Sequence, residues 1–540
     1  MDTLLSETHS VCLKQTQMPG SAALFTDFLY QFERVSRFYP HPPDVAKIAD
    51  AARGIQLPPE HRKALVAALR AQNASGGDAT AENLNLLAEL DTVVVATGQQ
   101  VGLYGGPVFA LYKALTAIEL ARNLRAGGQR AVAVFWMATE DHDLAEIDHT
   151  WLLDAHDRAV RVHAAATHHE GEPVGAVAIE DTALPGLRAH LDGLACADEA
   201  AGLAAESYPD GVSFRDGFRG LLNRLVRHDG LIFLDPMDPA IRRLAAPLFE
   251  RALDEGDDLN RLLLERCAAL EDSGYHTQVR VTDETSLLFR FDEDRRIAMK
   301  RVPNGYEQAG RMHTVEDLRK ELASDPGRFS PSALLRPVTQ DFLLPTAAYV
   351  AGPAEIAYLA QAGVLYERLL GRMPVVLPRL SLTVLDSRAE RLLNKYGLTA
   401  ADCFQAEGDL RSRIAAQLVP AAIEKQLKAS EALIEKALAD AHGPLASFDP
   451  TLGQALDSSS KKMRYQFGKI RTKAAAESLR RDSRAEGDAA YLANLIYPEG
   501  NPQERVFSVM SFLARYGDGF VDAVRAAVRP ACLDHQILTL

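Results

Sequence analysis

Along the chain the apolar residues recur with two different periods, and the switch between them sets the expected architecture. From about residue 20 to 90 a helical spacing runs through Phe25, Phe28, Leu29 and Phe32, then Leu65 and Leu69, then Leu84 and Leu87, and predicts an N-terminal helical layer. Short unbroken apolar runs follow. Thr92 to Ala96, Ala131 to Trp136, the LIFL run before Asp235 and the AAYV run before Gly352 read as buried strands, and Val108, Leu111, Leu115 and Ile118 mark a helix after the first of them. Buried strands alternating with helices predict an α/β fold whose core is a mainly parallel, doubly wound, Rossmann-like sheet. Ligands collect at the carboxyl ends of such strands, so the segments after Ala96, Trp136 and Leu234 are expected to converge on one cleft.

Polar, Gly/Pro-punctuated stretches near 155–205 and 290–335 interrupt this pattern and read as insertions beside the cleft. From 385 to 487 the character changes to long helices. Leu456, Ser460, Met463, Phe467, Ile470 and Ala474 form a coiled-coil seam, Ile423, Leu427, Ile434 and Leu438 line an earlier helix, and AHGPLASFDP between them is expected to turn an antiparallel hairpin. The expected division is a core over 1–384, a helical arm over 385–487, and a segment over 488–540 that returns to the core.

Composition narrows the function. The 540 residues carry a formal net charge of -14, which disfavours generic nucleic-acid or anionic-membrane binding, since both need a basic surface. No stretch reaches the roughly 20 apolar residues of a membrane span, and the first residues lack a signal peptide's basic start, so a cytoplasmic location is expected. The five cysteines are widely spaced and fit neither a disulfide framework nor a paired-thiol zinc site.

Four segments could carry chemistry. In Thr97-Gly98-Gln99-Gln100-Val101-Gly102-Leu103-Tyr104-Gly105-Gly106-Pro107 the glycines could turn backbone N–H groups toward an anion at a helix start, or merely allow a tight turn; the loop matches neither the dinucleotide nor the P-loop pattern. Lys113, in the helix that follows, could reach a phosphate or carboxylate. Glu140-Asp141-His142-Asp143, with Glu146, Asp148 and His149 behind, surrounds an imidazole with carboxylates, which suits a general base; acids favoured at a helix start would explain Glu140 and Asp141 but not His142. The histidine spacing matches no zinc signature, and no metal is expected beyond magnesium accompanying a nucleotide. Glu355 and Tyr358, in GPAEIAY after the fourth strand, could face the cleft or belong to an ordinary helix cap. In NPQER, Asn501 marks the motif and Arg505 could clamp a carboxylate or form a surface ion pair.

Taken together, TGQQVGLYGGP, the strand followed by EDHD, VAGPAEIAYLAQ and YPEGNPQERV resemble the bacillithiol biosynthesis cysteine-adding enzymes, with a similarity that runs essentially end to end. The resemblance implies a Rossmann-like core related to class I aminoacyl-tRNA synthetases and nucleotidyltransferases, two connecting-peptide insertions, and a coiled-coil domain used for homodimerisation. It implies a ligase that joins the carboxyl of cysteine to the amine of glucosaminyl-malate. Amide formation from a free carboxylate is uphill in water, so activation by ATP is chemically expected, although the loop at 97–107 has no H-x-G-H. On this reading the acyl donor lies over Thr97, Gly98, Gln99, Gln100, Tyr104 and Gly105, and His142, held by Asp141 or Asp143, takes a proton from the attacking ammonium. Glu355 and Tyr358 contact substrate, and Arg505 pairs with a malate carboxylate. The rival readings are a metal-dependent hydrolase built on the acidic and histidine cluster from Glu140 to His149, and a non-enzymatic coiled-coil scaffold.

Overall fold

The computed structural model describes residues 11–540, which form two compact units. The larger runs to Leu382 and resumes over Glu504–Gln536; the smaller comprises Thr383–Gln503 and Ile537–Leu540. The chain thus rejoins the larger unit at Glu504, later than the 488 expected from the pattern.

At the centre of the larger unit is a five-stranded, wholly parallel sheet of β1 (Val93–Gln99), β2 (Ala131–Met137), β3 (Ile232–Leu234), β4 (Thr346–Ala351) and β5 (Val375–Pro378), in the order β5-β4-β1-β2-β3. All four strands read from apolar runs are in it. Their continuous burial explains the lack of alternation, because both faces of a parallel sheet are covered. Helix α1 (Phe109–Ala126) follows β1 and is buried almost all round from Ala110 to Ala121; α2 (Pro353–Leu370) follows β4. The strand order reverses between β1 and β4, which places the topological switch point at their carboxyl ends.

Gly98 owes its place to packing. It pairs with Trp136 in register, and a Cβ there would lie 2.7 Å from the Trp136 carbonyl oxygen, so any side chain would force β1 and β2 apart. Gly105 and Gly106 have φ of 84° and 62°, the left-handed region that glycine adopts without strain, and turn the chain into α1.

The two interruptions are substantial elements. The first begins with a hairpin of His149–Leu153 and Ala159–His163. The second is a five-stranded antiparallel sheet over Thr285–Asp292, Arg295–Val302, Gly305–Gln308, Arg311–Thr314 and Phe329–Pro331.

The smaller unit is dominated by α3 (Ala421–Phe448) and α4 (Pro450–Arg481), packed as a hairpin with cross-helix ion pairs such as Arg464–Glu435 at 2.9 Å and Arg471–Glu431 at 2.6 Å. The turn is tighter than AHGPLASFDP suggested. Gly443 and Pro444 lie inside α3, and the reversal falls at Asp449, whose carboxylate caps α4 by accepting from the Thr451 amide at 2.7 Å. On an exposed helix, water can satisfy the carbonyl that the proline leaves free, so the sequence signal for a turn is overridden. No helix among the described residues is long and apolar enough to cross a membrane.

Candidate active site

A cavity of about 530 Å³ opens at the switch point, floored by the ends of β1, β2 and β4. Its walls carry five cations, Lys113, Arg296, Arg336, Arg379 and Arg505, beside the acids Glu140, Asp141 and Glu355 and the ring of His142. The expectation that β3 also feeds this cleft is corrected. Asp235 lies outside it, held by Arg215 at 3.2 Å and by the Thr139 hydroxyl, because β3 is the edge strand farthest from the reversal.

Lys113 and Glu355 form the inner link. Lys113 is buried and Glu355 largely so, the two are in contact as an ion pair, and Lys113 also donates to the Gly98 carbonyl at 2.7 Å and to Gln99 at 3.1 Å. Glu355 accepts from its own cap amide at Gly352, 2.7 Å, and from the Tyr349 hydroxyl, 2.6 Å. Arg336 donates to the hydroxyls of Tyr349 (3.1 Å) and Tyr358 (2.8 Å). Burial alone would raise the Glu355 pKa, but Lys113, Tyr349 and Arg336 outweigh it and hold the carboxyl below its ordinary range, so the group is ionised. Glu355 is therefore a helix cap and a cavity residue at once. The Tyr358 hydroxyl is pushed up to about 12, chiefly by burial, and stays a neutral donor.

After β2 the chain turns at Thr139–Glu140 and reaches only a single 3-10 turn, Leu144–Glu146, so Glu140 and Asp141 are not in the first turn of a helix. Glu140 is buried, pairs with Arg242 at 3.1 Å, and has its pKa raised by burial. Among the described residues its second oxygen has no partner, nor has the buried indole nitrogen of Trp136. Both residues line the cavity, and these two atoms are an acceptor and a donor buried in its wall. The His142 ring has Asp141 Oδ1 3.6 Å and Arg296 Nη1 3.4 Å from its Nδ1. Asp143 is exposed and does not line the cavity, so of the two acids expected to hold His142 only Asp141 is placed to do so.

The loop at 97–107 departs most from expectation. Only Gly98, Gln99 and Gln100 face the cavity. Thr97 is buried and donates to the Val350 carbonyl at 2.9 Å; Tyr104 is buried and donates to the Thr182 carbonyl at 2.8 Å; Gly105 gives its N–H to the Tyr208 hydroxyl at 3.3 Å. The Leu103, Gly106 and Val108 amides are likewise taken, by the carbonyls of Ile147, Leu103 and Phe507. These backbone donors hold the loop together and are not offered to the cavity. Gln100 is itself committed to Asp141, at 2.7 Å, and to Glu146.

From the C-terminal motif, Arg505 lines the cavity, exposed to solvent, while Asn501 belongs to the smaller unit and donates locally to the Glu499 carbonyl at 3.0 Å. Arg296, Arg336, Arg379, Trp136 and Phe289 were missed in the sequence reading. Arg296 and Phe289 come from the second insertion, with the guanidinium 3.9 Å from the ring centre; Arg336 precedes a proline at a helix start; Arg379 pairs with buried Glu504 at 2.8 Å. None sits in a local motif that could have flagged it.

A Rossmann-like parallel sheet with its cavity at the strand reversal, joined in sequence to a long helical hairpin, defines the class. Comparison with known proteins gives the family: the sequence model described as bacillithiol biosynthesis BshC, N-terminal Rossmann-like domain, matches residues 8–380, and that of the BshC C-terminal coiled-coil domain matches 382–540. The chain belongs to the BshC family. Among its relatives, the protein of Solibacter usitatus is 43% identical over 98% of this chain and 100% of its own length, that of Koribacter versatilis 37% over 98% and 99%, and that of Salinibacter ruber 30% over 95% and 96%. Each is named "Putative cysteine ligase BshC".

Replacing Glu355 by Gln leaves a buried ammonium without its counter-charge. The variant is expected to lose about 3 kcal/mol of stability in denaturant unfolding, and Lys113→Met in addition to recover most of it; a Glu355→Gln protein as stable as the parent would show that the pair carries no such role.

Proposed function

We propose that this chain is a ligase that joins the carboxyl of L-cysteine to the amine of glucosaminyl-malate, forming the amide of bacillithiol in the last step of its synthesis. The observation that carries the reading is the cavity at the switch point, where five cations surround a small group of acids. Such a lining suits an acceptor with two carboxylates, and cations left over suit the phosphates of ATP. The cysteine-ligase name of the relatives supports the same chemistry.

The chain's own residues divide the work as follows. Arg505 reaches the cavity from its exposed side and meets a malate carboxylate, its guanidinium fork matching a carboxylate in two hydrogen bonds, while Arg296, held by Ser330 and Pro331, adds positive charge from the second insertion. The free oxygen of Glu140 accepts from an ammonium group of a substrate. His142, turned by Asp141, takes the proton that the attacking nitrogen loses as its bond to the acyl carbon forms and the activated carboxyl's leaving group departs. ATP supplies that activation, as magnesium nucleotide, and Arg336, Arg379 and the Gln99 amide, which line the cavity, would hold its phosphates. Tyr358 and Glu355 shape the cavity. The hydrolase alternative is weakened because its two histidines diverge: His142 faces the cavity, whereas His149 pairs across the hairpin with His163.

We further propose a homodimer formed through the arm. A two-helix hairpin buries one seam at most, and Leu433, Phe448, Tyr465 and Ile470 stand 70%, 85%, 61% and 48% exposed. Sedimentation at micromolar concentration should show a dimer that Leu433→Asp with Ile470→Asp converts to monomer; a monomeric parent sinks the assembly.

Incubation of the purified protein with cysteine and glucosaminyl-malate should yield the amide by mass spectrometry only when Mg-ATP is present, with AMP or ADP released in equal amount. His142→Ala should lower turnover by roughly 10²-fold or more with folding intact. Product without ATP would refute nucleotide activation, and normal turnover in the variant would refute the base.

A further inference from the structure

Outside the cavity, the mouth of the hairpin in the first insertion gathers three groups that the reaction does not use. His149 opens one strand and His163 closes the other, and the two are directly opposite in the antiparallel register, so both rings stand on the same face. Their ring centres are 5.8 Å apart and the planes nearly parallel, at 23°. Asp148 lies between them, with Oδ1 3.0 Å from His149 Nδ1 and Oδ2 3.5 Å from His163 Nε2. One ligand atom from each of the three residues falls within 4.8 Å of the others.

We propose that Asp148, His149 and His163 form a binding site for a divalent transition metal, with zinc the best match. Two imidazole nitrogens and one carboxylate oxygen are the ligand types zinc takes, at about 2.0–2.2 Å, and a tetrahedral ion of that size sets its ligands about 3.3 Å apart. The 3.0 and 3.5 Å separations run to the two different oxygens of Asp148, and one ligand atom from each residue lies within 4.8 Å of the others, so rotation of the carboxylate and the rings is what would draw one oxygen and two nitrogens onto an ion. The register supplies the second requirement, because the strand pairing fixes both Cβ positions before any metal arrives. The side chains of Asp148 and His149 are 16% and 23% exposed and that of His163 is 50% exposed, which gives an entry path and leaves a fourth position for water or another ligand. Magnesium would be a poor occupant, since it prefers oxygen donors and six-fold geometry. An ion here would clamp the base of the hairpin immediately after the segment that carries Glu140 to His142, while the amide of Leu103 bonds the carbonyl of Ile147 next door.

The test uses the full chain, stripped of metal, titrated with Zn²⁺ against a chromophoric chelator, with Mg²⁺ in parallel. One equivalent of zinc should bind, magnesium should not compete, and Co²⁺ in its place should give the visible absorption of a four- or five-coordinate ion. His149→Ala and His163→Ala should each weaken zinc by more than about 100-fold, beyond what loss of an outer partner usually costs. A His168→Ala, His169→Ala double variant controls for the neighbouring histidines and should bind as the parent does. Circular dichroism checks that the variants fold. Zinc binding unchanged in either His149→Ala or His163→Ala, or no binding by the folded parent, would overturn the site, and neither outcome depends on the ligase activity.

Discussion

The buried contact between Lys113 and Glu355 ties the two halves of the cavity together. Lys113 comes from the helix after β1 and reaches back to the end of that strand at Gly98; Glu355 comes from the helix after β4 and reaches back to its own cap. Each charge is costly to bury alone, and each is tolerated because the other and a set of hydroxyl and amide dipoles surround it. Through Tyr349 the pair reaches Arg336, and through Arg336 it reaches Tyr358. The switch point of the sheet is therefore a fixed polar network, and Arg296 and Arg379 in the same cavity wall are likewise anchored, by Ser330 and Pro331 and by Glu504.

The cavity lies at the carboxyl ends of β1, β2 and β4, where the apolar runs lead to it, whereas most of the loop at 97–107 turns away from it. Position follows from topology, which the apolar runs of β1, β2 and β4 specify through period and length. The ligand-facing groups within the loop follow from which backbone amides find partners, and those partners come from distant residues: Ile147, Tyr208 and Phe507 consume the donors between Leu103 and Val108. Nothing in TGQQVGLYGGP carries that information. Gly98 likewise looks like a phosphate glycine and is a packing glycine, a distinction visible only once Trp136 is beside it.

The insertions were legible as interruptions of the sheet pattern but not as contributors of chemistry. Arg296 lies in a strand among other charged residues, where a solvated face is the ordinary reading; folding turns it inward, over Phe289 and toward His142. Arg379 and Arg336 are similar, single arginines in apolar surroundings whose charge is balanced by Glu504 in one case and met by tyrosine hydroxyls in the other. His142 and Arg505 were readable because they occur in short polar motifs directly after core elements. Asn501, from the same motif as Arg505, shows the limit of that reasoning, since four residues carry the chain from one compact unit into the other.

If the cavity's arginines meet substrate carboxylates as proposed, the cavity prefers an acidic acceptor. Calorimetric titration of the full-length protein with glucosaminyl-malate and, separately, with a neutral glucosaminide lacking the malate carboxylates measures that preference directly. The cationic lining predicts that the malate compound binds at least about tenfold tighter, a difference of about 1.4 kcal/mol, and that added salt narrows the gap. Equal affinity for the two compounds would contradict the assignment of the arginines to substrate carboxylates.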